Sequence, residues 1–409
     1  MPAPPATALV APPRVTPLLA AVALSLLLGL QPVTTDVYLP ALPMLTAALG
    51  APMSQAQLTM SALILAFGLA QMVWGPVSDR IGRRPVLLLG LSLYTVASAG
   101  CALAGSIELL VLWRVLQGAA LAAAVVCARA IVRDLYEPVQ GAQVMALALS
   151  GLGVIALLGP LLGGVTALAF GWRGPLTLVT AVAALTLIFI AARLPETLAH
   201  PDPGATRLLP LLRRWGGISA NPVFRAWALL VACTYGGLFT LLAASSFIYM
   251  DVYGLSPAAY GGAMALGSLS YLGGTLLCRR WIPRHGLAGA VRRGGGFTLA
   301  GGVLIAATAL TDLPAPWAVG AVLLSQGLYC FGHGIHQPCG QAGVVAPFPQ
   351  AAGAASALAG LLLALVAFAV GRWLGGALDG SLRPLAWGLA FWSLMTVLVA
   401  WTWVQRAEG

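Results

Sequence analysis

Apolar residues run through this chain in long blocks of about twenty or more, separated by short breaks rich in Gly, Pro and Arg. A helix needs roughly 20 apolar residues to cross the hydrocarbon core of a bilayer, so each block predicts one membrane span. Twelve are legible: 17–46, 54–77, 85–104, 107–132, 141–169 and 173–193, then 222–250, 258–279, 290–310, 315–342, 350–378 and 384–404. The one long break covers 194–221. It opens on Pro195, Pro201 and Pro203 and continues as Arg207-Leu-Leu-Pro-Leu-Leu-Arg-Arg-Trp215, a pattern that predicts a short helix lying on the membrane surface. The expected fold is therefore all-α and integral to the membrane, with an N-terminal six-helix bundle over 1–193, a linker over 194–221 and a C-terminal six-helix bundle over 222–409. The start, with Arg14 before the apolar run 18–30, resembles a signal peptide. The run continues through 33–45 and more spans follow, which predicts a retained first helix.

Composition removes the soluble alternatives. Hydrophobic residues make up 60% and charged residues 8%, against roughly 25% charged in a soluble domain. A soluble chain with this balance could not solvate its exterior. Twelve spans use roughly 240 residues, which leaves room for loops and a linker but none for a separate catalytic domain.

The net charge of +10 comes from 21 basic and 11 acidic residues, and every basic residue is arginine. Arginine keeps its proton under all ordinary conditions, although a GC-rich coding sequence produces the same bias. The arginines gather at block ends, which disfavours a nucleic-acid partner. Arg14, Arg80, Arg83, Arg84, Arg129, Arg133, Arg193, Arg207, Arg213, Arg214, Arg225, Arg279, Arg280, Arg284, Arg292, Arg293 and Arg406 fall on one side of the predicted topology. Arg173 and Arg383 fall on the other, with Arg372 close to it. Basic residues favour the cytoplasmic side, so both termini and the linker are expected there, in an inner membrane. Cys101, Cys127, Cys233, Cys278, Cys330 and Cys339 lie mostly inside the blocks without paired spacing, and are expected as free buried thiols.

Between the second and third blocks stands Gly75-Pro-Val-Ser-Asp-Arg-Ile-Gly-Arg-Arg84. Gly75 would admit a close neighbouring helix and Gly82 a tight turn. Asp79 follows Gly75 by four residues, on the same helical face. The start of the eleventh span carries no charge from 340 to 371, so its partly positive N-terminus is expected to attract Asp79 and close the two halves on the inside. Arg80, Arg83 and Arg84 would complete this gate or serve only as topology anchors. The stretch resembles the signature loop of the major facilitator superfamily, G-x-x-x-D-R-x-G-R-R, at every defined position.

The fourth span carries Arg114-Val-Leu-Gln-Gly118, which sets Arg114, Gln117 and Gly118 on one face. A guanidinium inside a span is expensive and needs a partner or a watery cavity. The fifth span holds Gly159-Pro-Leu-Leu-Gly-Gly164, in which Gly159, Pro160, Gly163 and Gly164 resemble the bend motif of exporters in that superfamily; Ala146 and Ile155 stand where further glycines are expected.

Asp36 is the sole acid well inside the first block, in Thr34-Thr-Asp-Val-Tyr-Leu-Pro-Ala-Leu-Pro43. Burial disfavours a charged carboxylate and a nearby guanidinium favours it, so Asp36 is a candidate for taking up and releasing a proton. A permanent bridge to Arg114 and a place at the outer water interface are the other readings of the residues. The run resembles the first helix of the bicyclomycin- and chloramphenicol-resistance drug:proton antiporters. The resemblance continues in Pro347-Phe-Pro-Gln-Ala-Ala-Gly-Ala-Ala-Ser-Ala-Leu358. It implies that Asp36 couples proton and substrate with Arg114 close by, and that the only cofactor is the proton itself.

The matching loop in the second half, 274–286, keeps its arginines but has no aspartate. The tenth span contains His333, His336, Gln337 and Cys339, with the two histidines sharing a face at i, i+3. Interhelical hydrogen bonding, substrate or proton handling and metal binding are the three readings, the last weakened by the want of a third ligand. Tyr38, Gln117, Tyr235, Phe239, His333, His336 and Gln337 are the candidate cavity residues. The expected function is a proton-coupled exporter of small amphipathic organic compounds, working as a monomer with the bilayer and its substrate as sole partners. A transporter of one specific metabolite on the same scaffold is the alternative. A lipid-handling membrane enzyme is a further one, though no aspartate-rich pair or His cluster shares a surface. No Walker-type phosphate loop occurs, which excludes ATP-driven transport.

Overall fold

The computed structural model describes residues 15–311 and 313–408. Arg14, which precedes the first apolar run, lies outside the described residues, as do Asp312 and Gly409. In chain order the helices are α1 (Pro17–Asp36), α2 (Leu42–Leu49), α3 (Met53–Ile81), α4 (Arg83–Leu103), α5 (Ile107–Leu135), α6 (Pro138–Phe170), α7 (Arg173–Arg193), α8 (Leu208–Ala220), α9 (Pro222–Ser246), α10 (Pro257–Ala309), α11 (Ala315–Val345), α12 (Ala352–Ala377), α13 (Arg383–Trp401) and α14 (Trp403–Glu408). The helix starts carry the expected side-chain caps: Ser106, Ser256 and Asn221 accept the orphan amides of α5, α10 and α9.

Among the described residues nine helical stretches are long and apolar enough to cross a membrane. The helix α6 and the two parts of α10 stand where three further blocks were expected, with two departures from the blocks. The first block is not one helix. α1 ends at Asp36, a 3-10 turn follows at Leu39–Ala41, and α2 resumes at Leu42. Pro40 and Pro43 cause the break, since each lacks an amide donor and restricts the residue before it. α10 instead carries two spans, separated at Gly286, whose φ of 66° only glycine adopts easily. Its first span continues past the apolar run through Arg279, Arg280 and Arg284, because the helix outlasts the hydrophobic layer.

The spans form two bundles joined by the segment holding α8. Across the junction α3 packs along α12, and α6 along α10. Buried apolar side chains fall into three clusters with a telling distribution. One is built only from the first half, including Leu24, Leu87, Val125 and Ile190, near the arginine-rich face. A second is built only from the second half, including Trp227, Val291, Ile335 and Ala355, on that same face. The third lies towards the opposite face and draws on both halves, with Tyr38, Leu42 and Met60 beside Phe239, Phe247, Tyr260 and Leu385. The halves therefore share a dry seal at one end only. This arrangement is closed at the face opposite the arginines.

Candidate functional site

The break after Asp36 sets up a polar centre in the middle of the first half. Asp36 lies 13 residues before Leu49, roughly 20 Å from that end of the span, and Arg114 lies seven residues into α5, about 10 Å deep. Neither is at the interface. Thr35 Oγ1 donates to Asp36 Oδ1 at 2.7 Å. Thr34 Oγ1 and Tyr94 OH share a hydrogen bond of 2.6 Å. Arg114 is 1% exposed. Its Nη1 donates to Gln117 Oε1 at 2.9 Å and more weakly to the Thr34 carbonyl at 3.4 Å. Gln117 Nε2 in turn donates to Ser98 Oγ at 2.8 Å. The guanidinium carbon stands 3.7 Å above the Tyr38 ring, whose hydroxyl is bonded to Thr59 Oγ1 at 2.8 Å.

Asp36 and Arg114 form no ion pair among the described residues. This overturns the permanent bridge. The carboxylate is held by its own neighbour Thr35, while the guanidinium is held by Gln117, Tyr38 and a backbone carbonyl. Arg114 Nε and Nη2 have no hydrogen-bond partner. Two groups of opposite charge thus stand at similar depth without being locked together: Asp36 lies against Gly159 of α6, while Arg114 lies on the Thr34 and Tyr38 side of α1.

The Gly159–Gly164 stretch packs against this centre. Side chains added at Gly159 would meet Asp36 and Val37 at ordinary contact distance, 3.7 and 3.6 Å. At Gly163 an added carbon would collide with the Val37 backbone, and at Gly164 with the Pro257 carbonyl that begins α10. These two glycines let α6 wedge between α1 and α10, one from each half. Pro160 lies inside α6, and its carbonyl faces Gly261 of α10.

In the second half, Tyr235 stacks on Phe239 with ring centroids 6.4 Å apart, and both lie in the shared apolar cluster with Tyr38. The histidines do not act together. His333 Nδ1 is bonded to Thr234 Oγ1 of α9 at 2.9 Å, and its ring lies 5.6 Å from that of Tyr271. His336 is fully buried and faces Thr298 in the second span of α10, with Nε2 3.2 Å from its hydroxyl. The i, i+3 spacing puts them near one another, but each reaches a different neighbouring helix. His336 is therefore an interhelical hydrogen-bonding group, away from the shared cluster. Gln337 Oε1 is buried without a partner. Cys339 turns to Cys278, with the sulfurs 3.3 Å apart. Among the described residues no three His, Cys, Asp or Glu side chains gather as metal ligands.

The Gly75–Arg84 loop is organised within the first half rather than across to the second. Asp79 Oδ1 accepts from Arg83 Nη1 at 2.5 Å and its side chain is 48% exposed. Arg83, 5% exposed, also donates through Nε to Asp134 Oδ2 at 2.8 Å and through Nη1 to Ser78 Oγ. The expected contact between Asp79 and the start of α12 is absent among the described residues; the guanidinium of Arg133 lies against Gly353 there instead. Arg83 takes the carboxylate because it sits one turn on, anchored by Asp134 from the far side. Gly75 packs loosely on Val126, at 3.8 Å for an added carbon, so close approach does not require it. Gly82 is required. Its φ is 106°, and an added carbon would meet the Glu196 carboxylate at 2.5 Å. Arg80 donates to Thr206 Oγ1 at 2.8 Å and Arg84 Nη2 to the Ala191 carbonyl at 3.0 Å.

Sequence reasoning missed Glu196, Asp134, Tyr94, Thr34 and Gln57 as organising residues. Glu196 accepts from the amides of Arg83, Arg84, Thr197 and Leu198 at 2.8–3.0 Å, and so caps α4 from the linker. Gln57 Nε2 donates to the Ala243 carbonyl at 2.8 Å and thereby joins α3 to α9 across the seal. Acids are scarce in this chain, so each one near an arginine cluster was a signal for Glu196 and Asp134. Nothing in the sequence pointed to Gln57.

A family model described as the Major Facilitator Superfamily matches residues 24–371. A chloramphenicol resistance protein of Pseudomonas aeruginosa is 31% identical over 390 residues, covering 91% of this chain and 87% of the relative. Multidrug resistance protein D of Escherichia coli (strain K12) is 29% identical over 349 residues, covering 82% of this chain and 83% of the relative. Among solved structures, a D-xylose-proton symporter superposes with a TM-score of 0.75 at 16% identity, covering 95% of this chain and 98% of its own, a likeness of fold alone.

Proposed function

The chain belongs to the Major Facilitator Superfamily, within its bicyclomycin- and chloramphenicol-resistance group of drug:proton antiporters, and from that premise we propose how this protein exports small amphipathic organic compounds in exchange for protons. It sits in the inner membrane with its arginine-rich face and both termini in the cytoplasm, the side that retains basic loops. Protons entering from outside reach Asp36. The observation that carries this is an unlocked acid: Asp36, at the end of α1 and deep in the span, is bonded to its neighbour Thr35 and forms no ion pair among the described residues, although Arg114 at similar depth keeps free donors.

A charged carboxylate is costly this deep in a span, so Asp36 takes a proton from one side as the two halves rearrange and releases it on the other. Tyr38, Tyr235 and Phe239, packed in the seal in this arrangement, offer flat apolar faces to an amphipathic substrate when the halves part, and Gln117 offers a polar group beside them. His333 and Gln337 stand further along α11, on the approach from the second half. The halves rock about α3–α12 and α6–α10, exposing the centre to each side in turn.

The working unit is a monomer in the bilayer, its partners are the lipid and the transported molecule, and no cofactor beyond the proton takes part. No bond in the substrate is made or broken. The test is uphill efflux in inverted vesicles under an imposed pH gradient, paired with counterflow in liposomes. Drug accumulation that collapses with the gradient, and recovery of the drug unaltered, are expected. Substrate movement indifferent to the gradient, or a chemically new product, would sink the reading.

A further inference from the structure

The linker helix α8 presents two apolar faces, and only one of them is used by the protein. Leu211, Trp215 and Ile218 fall within about 60° of one another around the helix, at 100° per residue, and form the inward side, with Ile218 buried in the cluster that includes Phe224 and Trp227. Leu208, Leu209 and Leu212 form a second stripe on the flank and are 67%, 59% and 50% exposed. Arg213 borders that stripe, while Arg207 at the helix start and Arg214 lie on the other flank of the inward side; all three are exposed and none is in an ion pair among the described residues. No acid stands between Arg207 and Arg225. The helix is held at the arginine-rich ends of the spans by contacts with α9 and α12.

We propose that α8 is an anionic-lipid binding element, in which Leu208, Leu209 and Leu212 enter the headgroup boundary of the cytoplasmic leaflet and Arg207, Arg213 and Arg214 bind lipid phosphates. The proposal rests on the orientation proposed above. An uncovered leucine stripe beside uncompensated arginines, at the level where the spans meet water, is the pattern of a helix lying in the interface plane. A second protein copy would leave the arginines without counter-charge, whereas anionic headgroups supply it. Each basic side chain near such a surface strengthens attachment by roughly fivefold, so three together favour anionic over neutral lipid by about a hundredfold. Because α8 packs on α9 and α12, seating it on lipid fixes one end of the second bundle against the leaflet.

The experiment uses the full-length chain with a nitroxide at Leu209→Cys, the unsubstituted protein serving as control for its buried native cysteines. The chain is reconstituted in nanodiscs of phosphatidylglycerol or of phosphatidylcholine. In phosphatidylglycerol the label should be reached by oxygen and shielded from a water-soluble nickel complex, and in phosphatidylcholine this shielding should weaken. The triple change Arg207→Gln, Arg213→Gln and Arg214→Gln should remove the difference between the two lipids. A label equally open to the nickel complex in both lipids overturns the proposal. So does shielding that appears only with two protein copies per disc, which would assign the stripe to a protein contact. Transport is not part of this readout, so failed efflux would count against the function above while leaving the lipid result standing.

Discussion

Gln57 of α3 donates its side-chain amide to the carbonyl of Ala243 in α9, at 2.8 Å and with the glutamine fully buried. This side-chain hydrogen bond runs directly from the first bundle to the second. The acceptor is available because α9 gives way to a π-helical segment, Phe247–Val252, and the amide of Phe247 turns to Ala244 rather than to Ala243 four residues back. Irregular turns of this kind often mark functional points in a helix. Gln57 Oε1 has no partner, so the bond holds the seal without fully satisfying its donor residue.

Replacing Gln57 by leucine removes that bond while keeping an apolar filling. A buried neutral hydrogen bond contributes about 1 kcal/mol, close to a fivefold change in a two-state ratio. The expected outcome is a shift towards opening at the face opposite the arginines. Spin labels on the loops near Ala51 and Asp379 should show a longer distance population. An unchanged distribution would mean that the apolar cluster alone sets the seal.

Asp36→Asn keeps the size of the side chain and a hydrogen bond to Thr35 but cannot carry a proton. Insertion and thermal stability should stay near wild type, and gradient-driven efflux should be lost. Counterflow, which needs no net proton movement, should survive at least in part. Wild-type uphill rates in this variant would refute Asp36 as the coupling group.

The loop network ranks its members by burial. Asp134→Asn leaves the nearly buried guanidinium of Arg83 with only the half-exposed Asp79, and should cost about 3 kcal/mol, as broken buried pairs do. Asp79→Asn removes an exposed partner and should cost under about 1 kcal/mol. Thermal unfolding in detergent will show the order. Equal losses, or a larger one for Asp79, would mean that its chief contact lies elsewhere in the cycle.

Glu196→Ala should destabilise the first bundle by about 1–2 kcal/mol, since it uncaps α4 and removes a carboxylate from a helix N-terminus. Glu196→Gln retains an acceptor and should lose less. Gly82→Ala should be at least as damaging as the alanine change at Glu196, because it strains a left-handed backbone and pushes into that same carboxylate. Proteolysis of the linker, whose start Glu196 anchors, provides a second readout.

His336→Leu should lower stability by about 1–3 kcal/mol by leaving the Thr298 hydroxyl unpaired in the interior. Substrate preference should hardly change, since the imidazole turns to the second span of α10. His333→Leu, beside Thr234 and Tyr271, should alter relative rates among substrates more than His336→Leu does. Identical substrate profiles for both variants would show that neither imidazole reaches the transport path.

The sequence by itself determined an all-helical membrane protein and most of its spans, because a bilayer imposes a length of apolar helix that any window of residues reveals. It also determined the arginine asymmetry and placed Asp36, Arg114 and the Gly75–Arg84 loop among the residues that matter, since a charge inside a span is too costly to be incidental. Only the tertiary structure decided whom those charges meet. Asp36 and Arg114 stay unpaired, the carboxylate accepting from adjacent Thr35 and the guanidinium donating to Gln117 one turn along its own helix. Asp79 turns to Arg83 because Asp134, fifty-five residues on in sequence, holds that arginine beside it. His333 and His336 separate because two helices flank α11, each offering a threonine to one imidazole. Helical spacing fixes which side chains share a face, and it already supplies Thr35 and Gln117 as local partners, while Asp134, Thr234 and Thr298 come from other helices brought near by packing between residues far apart in the chain.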